Sequence, residues 1–297
     1  MTSDDGHHLY ERRRLRRRIG FWRLIAIAAV VISVALYFWD STPSGNFVAR
    51  YSVIGAILDD PERDAFLRSI GEDDSIEALV LRINSPGGSV TGSEALFEAV
   101  RSVAEEKPVV AVLGEVAASG GYIAALAADH IVARGGTITG SIGVIAEYPN
   151  VAELLDTVGI AFNRVASSPL KAEPSPLREP SQAALEAQEA IIDDAYTWFL
   201  DLVMTRRNLS AERARDLGDG RIYSGRQAIA EGLIDGIGAE PAARAWLDEA
   251  RGISPELELR DVEPEEPFSV FAMIDGVNLR TVLGQLFQGP RLMAIMR

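Results

Sequence analysis

Apolar positions fall into two regimes along the chain. From Ile19 to Trp39 every residue is apolar except Gly20, Arg23 and Ser33, and no polar face interrupts the run. A helix of those residues is ~31 Å long at 1.5 Å per residue, about the thickness of a bilayer core. Trp22 at one end and Tyr37 and Trp39 at the other suit the two interfaces, and Arg23, one turn in, can extend to the headgroups. Six arginines between Arg12 and Arg18 precede the run, which orients the N-terminus to the cytoplasm and sends the remainder across. The run ends in Tyr-Phe-Trp-Asp with no small-x-small site after it, so an uncleaved anchor is expected over a removed signal peptide. The expected layout is a basic cytoplasmic tail (1–18), a single-pass anchor in the lipid of the cell inner membrane (19–39) and a polar linker (40–46). Everything beyond is then periplasmic.

From Phe47 the apolar residues come in short blocks separated by turns and by stretches of helical period. Phe47–Leu58 predicts a strand ended by Asp60-Pro61, with a helix through Ile70. Ile76–Ile83 predicts a buried strand from its β-branched and leucine content. It runs into Asn84-Ser85-Pro86-Gly87-Gly88, a turn whose glycines permit positive φ and exposed amides. Ser93–Glu106 places Leu96, Val100 and Val103 on one helical face, and Lys107-Pro108 breaks it. Val109–Leu113 then leads through small residues into Ser119-Gly120-Gly121 and an alanine-rich helical stretch, after which His130 opens a strand. Strand, glycine turn and helix occur twice, which predicts an α/β domain with a largely parallel sheet.

Further on, Thr139–Val144 predicts a turn feeding another apolar strand, Val151–Val158 a helix and Phe162–Val165 a strand. The proline-rich stretch 167–174 cannot be helical and reads as an extended loop. Ser181–Arg207 predicts a long helix with Leu185, Ile192, Phe199 and Val203 as its apolar stripe and Asn208 as its cap. A short helix (Ser210–Leu217), a short strand (Arg221–Tyr223) and a helix capped by Ser224 and ending at Gly232 follow. The extension 252–297 holds an acidic, proline-containing link and an apolar segment from Phe268 to Met296. It suits a neighbouring subunit, the membrane surface or an ordinary packed helix equally, and its role is open.

Composition narrows the chemistry. The chain has 297 residues, 47% of them hydrophobic, and no cysteine. Disulfides, thiol catalysis and thiolate metal sites are therefore excluded. Three histidines, two of them in the N-terminal tail, assemble no metal cluster. Net charge is −14, which argues against a nucleic-acid partner. Residues 1–39 hold 7 basic and 3 acidic side chains, leaving 22 basic and 40 acidic of the chain's 29 and 43 beyond them. That acidity suits a domain kept soluble beside an anionic membrane.

Ser119 is the candidate nucleophile, placed at a helix start among small neighbours that allow close approach. The same position suits a plain N-cap. A serine nucleophile needs a base, and His130, eleven residues on, falls at the far end of the helix. A carboxylate or a lysine is left. The chain has two lysines against 27 arginines. Lys107 lies in a charged corner that reads as solvated. Lys171 lies in an irregular loop among prolines and small residues, where a buried amine can lose its proton as a guanidinium cannot. Arginine bias across the chain accounts for the imbalance equally well.

Four segments in order resemble the signal peptide peptidase A (SppA) family in its short, single-domain bacterial form. They are Leu81–Gly88 (LRINSPGG), Ala118–Tyr122 (ASGGY), Thr139–Val144 (TGSIGV) and Leu170-Lys171-Ala172, and the resemblance covers roughly 47–250. It implies a crotonase/Clp-protease-like α/β fold of stacked ββα units behind one N-terminal transmembrane helix, with 47–251 as a serine peptidase domain. It implies a dyad of Ser119 as nucleophile and Lys171 as base, with Ser141 orienting the amine. Gly88 and Gly120 would supply the oxyanion hole, and no cofactor or metal is implied. Asn84, Pro86 and Gly87 would shape the turn. The family forms dome-shaped homo-oligomers whose neighbouring subunits can share a site, and its substrates are peptides such as remnant signal peptides. A SohB-like membrane protease with other substrates would look the same. An inactive crotonase-like scaffold or acyl-CoA enzyme fits less well, since both Ser119 and Lys171 are present and an export signal precedes them.

Overall fold

The computed structural model describes residues 21–29, 31–33 and 45–264, and the chain divides into two compact units, Met1–Asn46 and Phe47–Arg297. In the first unit residues 21–29 and 31–33 are helical. Among the described residues no helix is long and apolar enough to cross a membrane. The rest of the expected span 19–39, the basic tail, most of the linker and the chain beyond residue 264 lie outside the described residues.

In the second unit β1 (Phe47–Ile54), α1 (Pro61–Glu72), β2 (Ile76–Ser85), α2 (Val90–Glu106), β3 (Val109–Ala118) and α3 (Gly120–Leu126) alternate. Then come β4 (His130–Ala133), β5 (Ile138–Gly140), α4 (Ala152–Thr157), α5 (Gln182–Arg207) and α6 (Ala211–Leu217). β6 (Ile222–Ser224), α7 (Gly225–Ala230), β7 (Gly236–Ile237), α8 (Glu240–Arg251) and β8 (Leu259–Asp261) complete the unit. Eight strands make one sheet in the order β6-β5-β3-β2-β1-β8, with β4 bridging β3 and β7. All pairs are parallel except β5–β6. β4 lies along the first half of β3 and β5 along its second half, each paired with β3 and not with the other.

The two faces of the sheet follow from strand alternation. On β2, Leu79, Leu81 and Ile83 point into the larger core with Leu67, Leu96, Val100, Val103, Leu126 and Phe199 from the helices. Ala78 and Val80 point the other way, where Val48, Val110, Val112 and Val132 meet Ala243 and Leu247 of α8. Every strand from β1 to β3 is thus covered on both sides, as a parallel sheet requires.

Several expectations need correcting. No strand forms between Gly140 and Ile222. Ile142 is fully buried, but the apolar run after it turns into a cleft instead of onto a strand edge. Phe162 and Val165 are exposed and have no strand to pair with. The acidic link after Gly252 contributes β8 to the edge of β1, where Arg50 donates to Asp261 (2.5 and 2.6 Å) and to Glu240 (2.7 Å). Lys107 is not merely solvated: its ammonium donates to the carbonyls of Asp73 and Ile76, the latter at 2.8 Å. Only the last part of the expected α5 stripe is buried, at Phe199 and Val203, and the helix, ~39 Å long, leaves Ile191 exposed.

Candidate active site

Four serines of this domain cap helices in the ordinary way. Ser89, Ser181, Ser210 and Ser224 have φ between −68° and −74°, and each hydroxyl accepts from a backbone N–H of the first turn. Ser119 does not. It stands between β3 and α3 at φ +52°, ψ −121°, and makes no capping hydrogen bond. A non-glycine residue at positive φ costs about 1–3 kcal/mol unless its surroundings hold it there. They do: its N–H donates to Gly140 O at 2.8 Å, and its carbonyl accepts from Tyr122 and Ile123 at 2.8 and 3.0 Å. Tyr122, fully buried, in turn donates its hydroxyl to Leu233 O at 2.7 Å, and burial pushes its phenol pKa up. The hydroxyl of Ser119 is thus fixed by the backbone and unused by the fold.

The turn after β2 closes on the same place. Ile57 N–H donates to Gly87 O and Ser89 N–H to Ile57 O, both at 2.9 Å, so Gly88 is bridged to Ile57. A Cβ on Gly88 would lie 1.8 Å from Ile57 O, and one on Gly87, at φ +107°, would lie 2.9 Å from Gly120 N and 3.0 Å from Ser119 Cβ. Only glycine allows this interlock. A Cβ on Gly120 would fall 3.2 Å from Gly88 N, so the two amides are neighbours. Among the described residues neither amide donates a hydrogen bond. Asn84 acts one step earlier than expected. Its Oδ1 accepts from Glu115 N and Val116 N at 3.0 and 3.2 Å, where the β2–β3 register shifts.

Gly88, Ser119 and Gly120 open on a cleft of about 90 Å³ walled by Val90, Ile123, Val144, Ile145, Trp198 and Phe199. Among the described residues nothing titratable lines it. Position at the carboxyl ends of parallel strands is the common location for sites in such sheets. Ser93, Trp198 and Phe199 had no motif to announce them; Phe199 belongs to a helical stripe that reads equally well as core, and Trp198 lies beside it, outside that stripe.

Ser141 stands directly after β5. The pairing Ala118↔Gly140 sets it beside Ser119, and it too has positive φ, +49°. It does not line the cleft, and neither does Lys171. Lys171 lies on an exposed turn, and among the described residues its ammonium has no hydrogen-bond or ion-pair partner. The structure thus brings Ser119, Gly88 and Gly120 together, with Ser141 adjacent, and leaves Lys171 outside.

His130 is separated from the site by the length of the sheet. It pairs with Val110, and Ser119 is nine residues further along an extended strand, roughly 25–30 Å away at 3.3 Å per residue. Its ring stacks on Trp246 at 4.8 Å, and burial pushes its pKa below the ordinary value. Among the described residues no group of three His, Cys, Asp or Glu could hold a metal ion.

A strained serine with a free hydroxyl, set against two unspent amides, is the arrangement of a serine hydrolase on an α/β sheet. Comparison with known proteins makes this more specific. Residues 101–254 match the model of peptidase family S49, and residues 64–134 that of Clp protease. The chain is 39% identical over 229 residues to "Putative protease slr0021" of Synechocystis sp., covering 76% of this chain and 82% of that one. It is 31% identical over 269 residues to "Putative protease MJ0651" of Methanocaldococcus jannaschii (89% and 83% covered). With "Putative signal peptide peptidase SppA" of Enterococcus faecium it shares 32% over 209 residues (66% and 61%). The chain belongs to peptidase family S49 and is a serine protease.

Proposed function

We propose that this protease works through a Ser119–Lys171 dyad and cleaves apolar peptides, remnant signal peptides among them. Ser119 Oγ attacks the scissile carbonyl as its proton passes to the Lys171 amine. The oxyanion is held by the N–H groups of Gly88 and Gly120, which need no reorganisation to meet it. Lys171 then delivers the proton to the leaving amine, and water hydrolyses the acyl-serine by the same route reversed. Ser141, beside Ser119, hydrogen-bonds the amine and aims it.

The observation that carries this reading is the contrast at the cleft: a poised serine and free amide donors, with no titratable group in the lining. The base has to be brought in. His130 is too far, and Lys171 sits on a segment whose apolar side chains are turned outward. Ile145, Leu154, Val158, Ile160, Phe162 and Val165 are all exposed, Val165 completely. Exposed apolar surface on that scale marks a contact. A second copy of the chain covers it in this reading, so that a homo-oligomer completes each site with Lys171. The apolar walls, Trp198 and Phe199 included, favour leucine- and alanine-rich peptides over charged ones. We further infer that the segment 19–39 anchors the protein in the inner membrane with the protease domain in the periplasm, supported by the arginine cluster before it. An alternative occupant of the same chemistry is a SohB-like protease with other substrates.

The test is hydrolysis of a leader-derived peptide by the domain from Asp40 onward, compared with Ser119→Ala. Cleavage lost with the hydroxyl supports the reading; equal cleavage by Ser119→Ala removes Ser119 from the chemistry.

A further inference from the structure

The turn that carries Lys171 is weakly held by its own backbone. Lys171 N–H to Ser168 O and Glu173 N–H to Leu170 O both measure 3.3 Å, beyond the usual range for such bonds. Lys171 and Ala172 are exposed, and Ala172 has φ +55°. Glu173 is the opposite. Its side chain is 8% exposed, and Oε1 accepts from Arg164 Nη1 at 2.6 Å and from Arg178 Nη2. One arginine precedes the turn and the other follows it, so the carboxylate ties its two legs together. Val151 N–H to Pro176 O (2.8 Å) and Asn150 Nδ2 to Glu179 Oε1 (2.9 Å) fasten the following leg to the start of α4.

A buried ion pair is a poor device for stability alone, because desolvation offsets most of the attraction and apolar replacements are often neutral. This one is also incomplete: among the described residues Glu173 Oε2 and Arg164 Nη2 are buried with no hydrogen-bond partner. Costs of that kind are tolerated where geometry is needed for function.

We propose that Glu173, gripped by Arg164 and Arg178, is a positioning residue that sets the turn presenting the Lys171 amine to the serine site. The inference rests on the reading of Lys171 as the base, two residues away and thus within ~7 Å along the chain.

The experiment uses the full chain as Glu173→Ala, Glu173→Gln and Lys171→Ala, with kcat and KM measured on an apolar peptide. Only two lysines exist to label, so ¹³C-methylation of their amines gives a direct NMR view of Lys171 with Lys107 as reference. Glu173→Ala is expected to lower kcat about 10²-fold, the cost of an ångström-scale misplacement, with KM little changed. The Lys171 signal should move while Lys107 stays. Glu173→Gln, which keeps the shape and guards against a variant that fails to fold, should fall between. Folded Glu173 variants with wild-type kcat and an unmoved Lys171 signal overturn the inference, as does a loss of stability with kcat unchanged. If Lys171→Ala itself remains active, the base assignment falls instead; if it is inactive while both Glu173 variants are normal, only the positioning role falls.

Discussion

Substituting Gly88 by alanine probes the join between the two glycine turns, and its cost can be worked from the geometry. The new Cβ would sit 1.8 Å from Ile57 O, 2.5 Å from its carbonyl carbon and 2.6 Å from its nitrogen. All three are backbone atoms, so no side chain can swing away. Reaching a normal contact requires a shift of about 1.7 Å between the Gly88 turn and Ile57, given that packed atoms sit at roughly 3.5 Å. Such a shift breaks the bonds from Ile57 N–H to Gly87 O and from Ser89 N–H to Ile57 O. At about 1 kcal/mol net apiece the loss is about 2 kcal/mol of stability. The catalytic effect is larger in proportion. Removing or misaiming one oxyanion donor costs about 10²–10³ in kcat. Denaturant unfolding gives the first quantity and steady-state peptide hydrolysis the second. Gly136→Ala, where a Cβ meets nothing within 4 Å, is the matched control and should be silent in both. A Gly88→Ala protein with wild-type kcat would refute the oxyanion assignment, and one with unchanged stability would refute the packing argument.

Arg206 donates to Leu126 O and Ala128 O at 2.7 and 2.8 Å, closing the C-terminal end of the helix that Ser119 precedes. Arg206→Ala should cost about 2–4 kcal/mol in urea unfolding, and Arg206→Lys should recover only part, since an ammonium lacks the planar fork. His130 supplies a pH dependence. Burial lowers its folded pKa below 6.5, so on acidification the unfolded state takes up the proton first. Stability therefore falls as pH drops through the window below 6.5, and His130→Phe, which keeps the stack on Trp246, should flatten that slope. An unchanged slope would mean that other groups set the acid limit.

Features announced by local chemistry were legible in the sequence. Ser181 and Asn208 bracket α5 because a serine cap and a left-handed asparagine act on their own backbone, and Ser210 and Ser224 work the same way. The alternation of strands and helices up to α3 was readable because parallel strands buried on both faces are apolar throughout. What depended on distant partners was not. β8 is three residues that are a strand only because β1 offers them an edge. The apolar run Ile142–Ile145 has strand composition, yet it walls a cleft. α8 carries local signals too, an N-terminal proline and the Gly252 cap, but its apolar face is short and is defined by the sheet it covers. At the site, the residue types were visible, but what sets Ser119 apart from an ordinary cap is conformational: four serines at ordinary φ and one at +52°. Lys107 and Lys171 could be told apart in sequence only by neighbourhood, whereas the structure gives the first two carbonyl partners and, among the described residues, the second none.

The most direct measurement of the central claim is peptide turnover by Lys171→Arg in the full-length protein. An ordinary lysine has a pKa near 10.4 and must surrender its proton to serve as base, which a guanidinium never does. Charge and length are nearly kept, so a merely structural role would survive the change. The account predicts that Lys171→Arg is as inactive as Lys171→Ala and Ser119→Ala, while Lys107→Arg turns over at the wild-type rate. Substantial peptidase activity in Lys171→Arg would contradict it, and the proton of Ser119 would then have to go elsewhere.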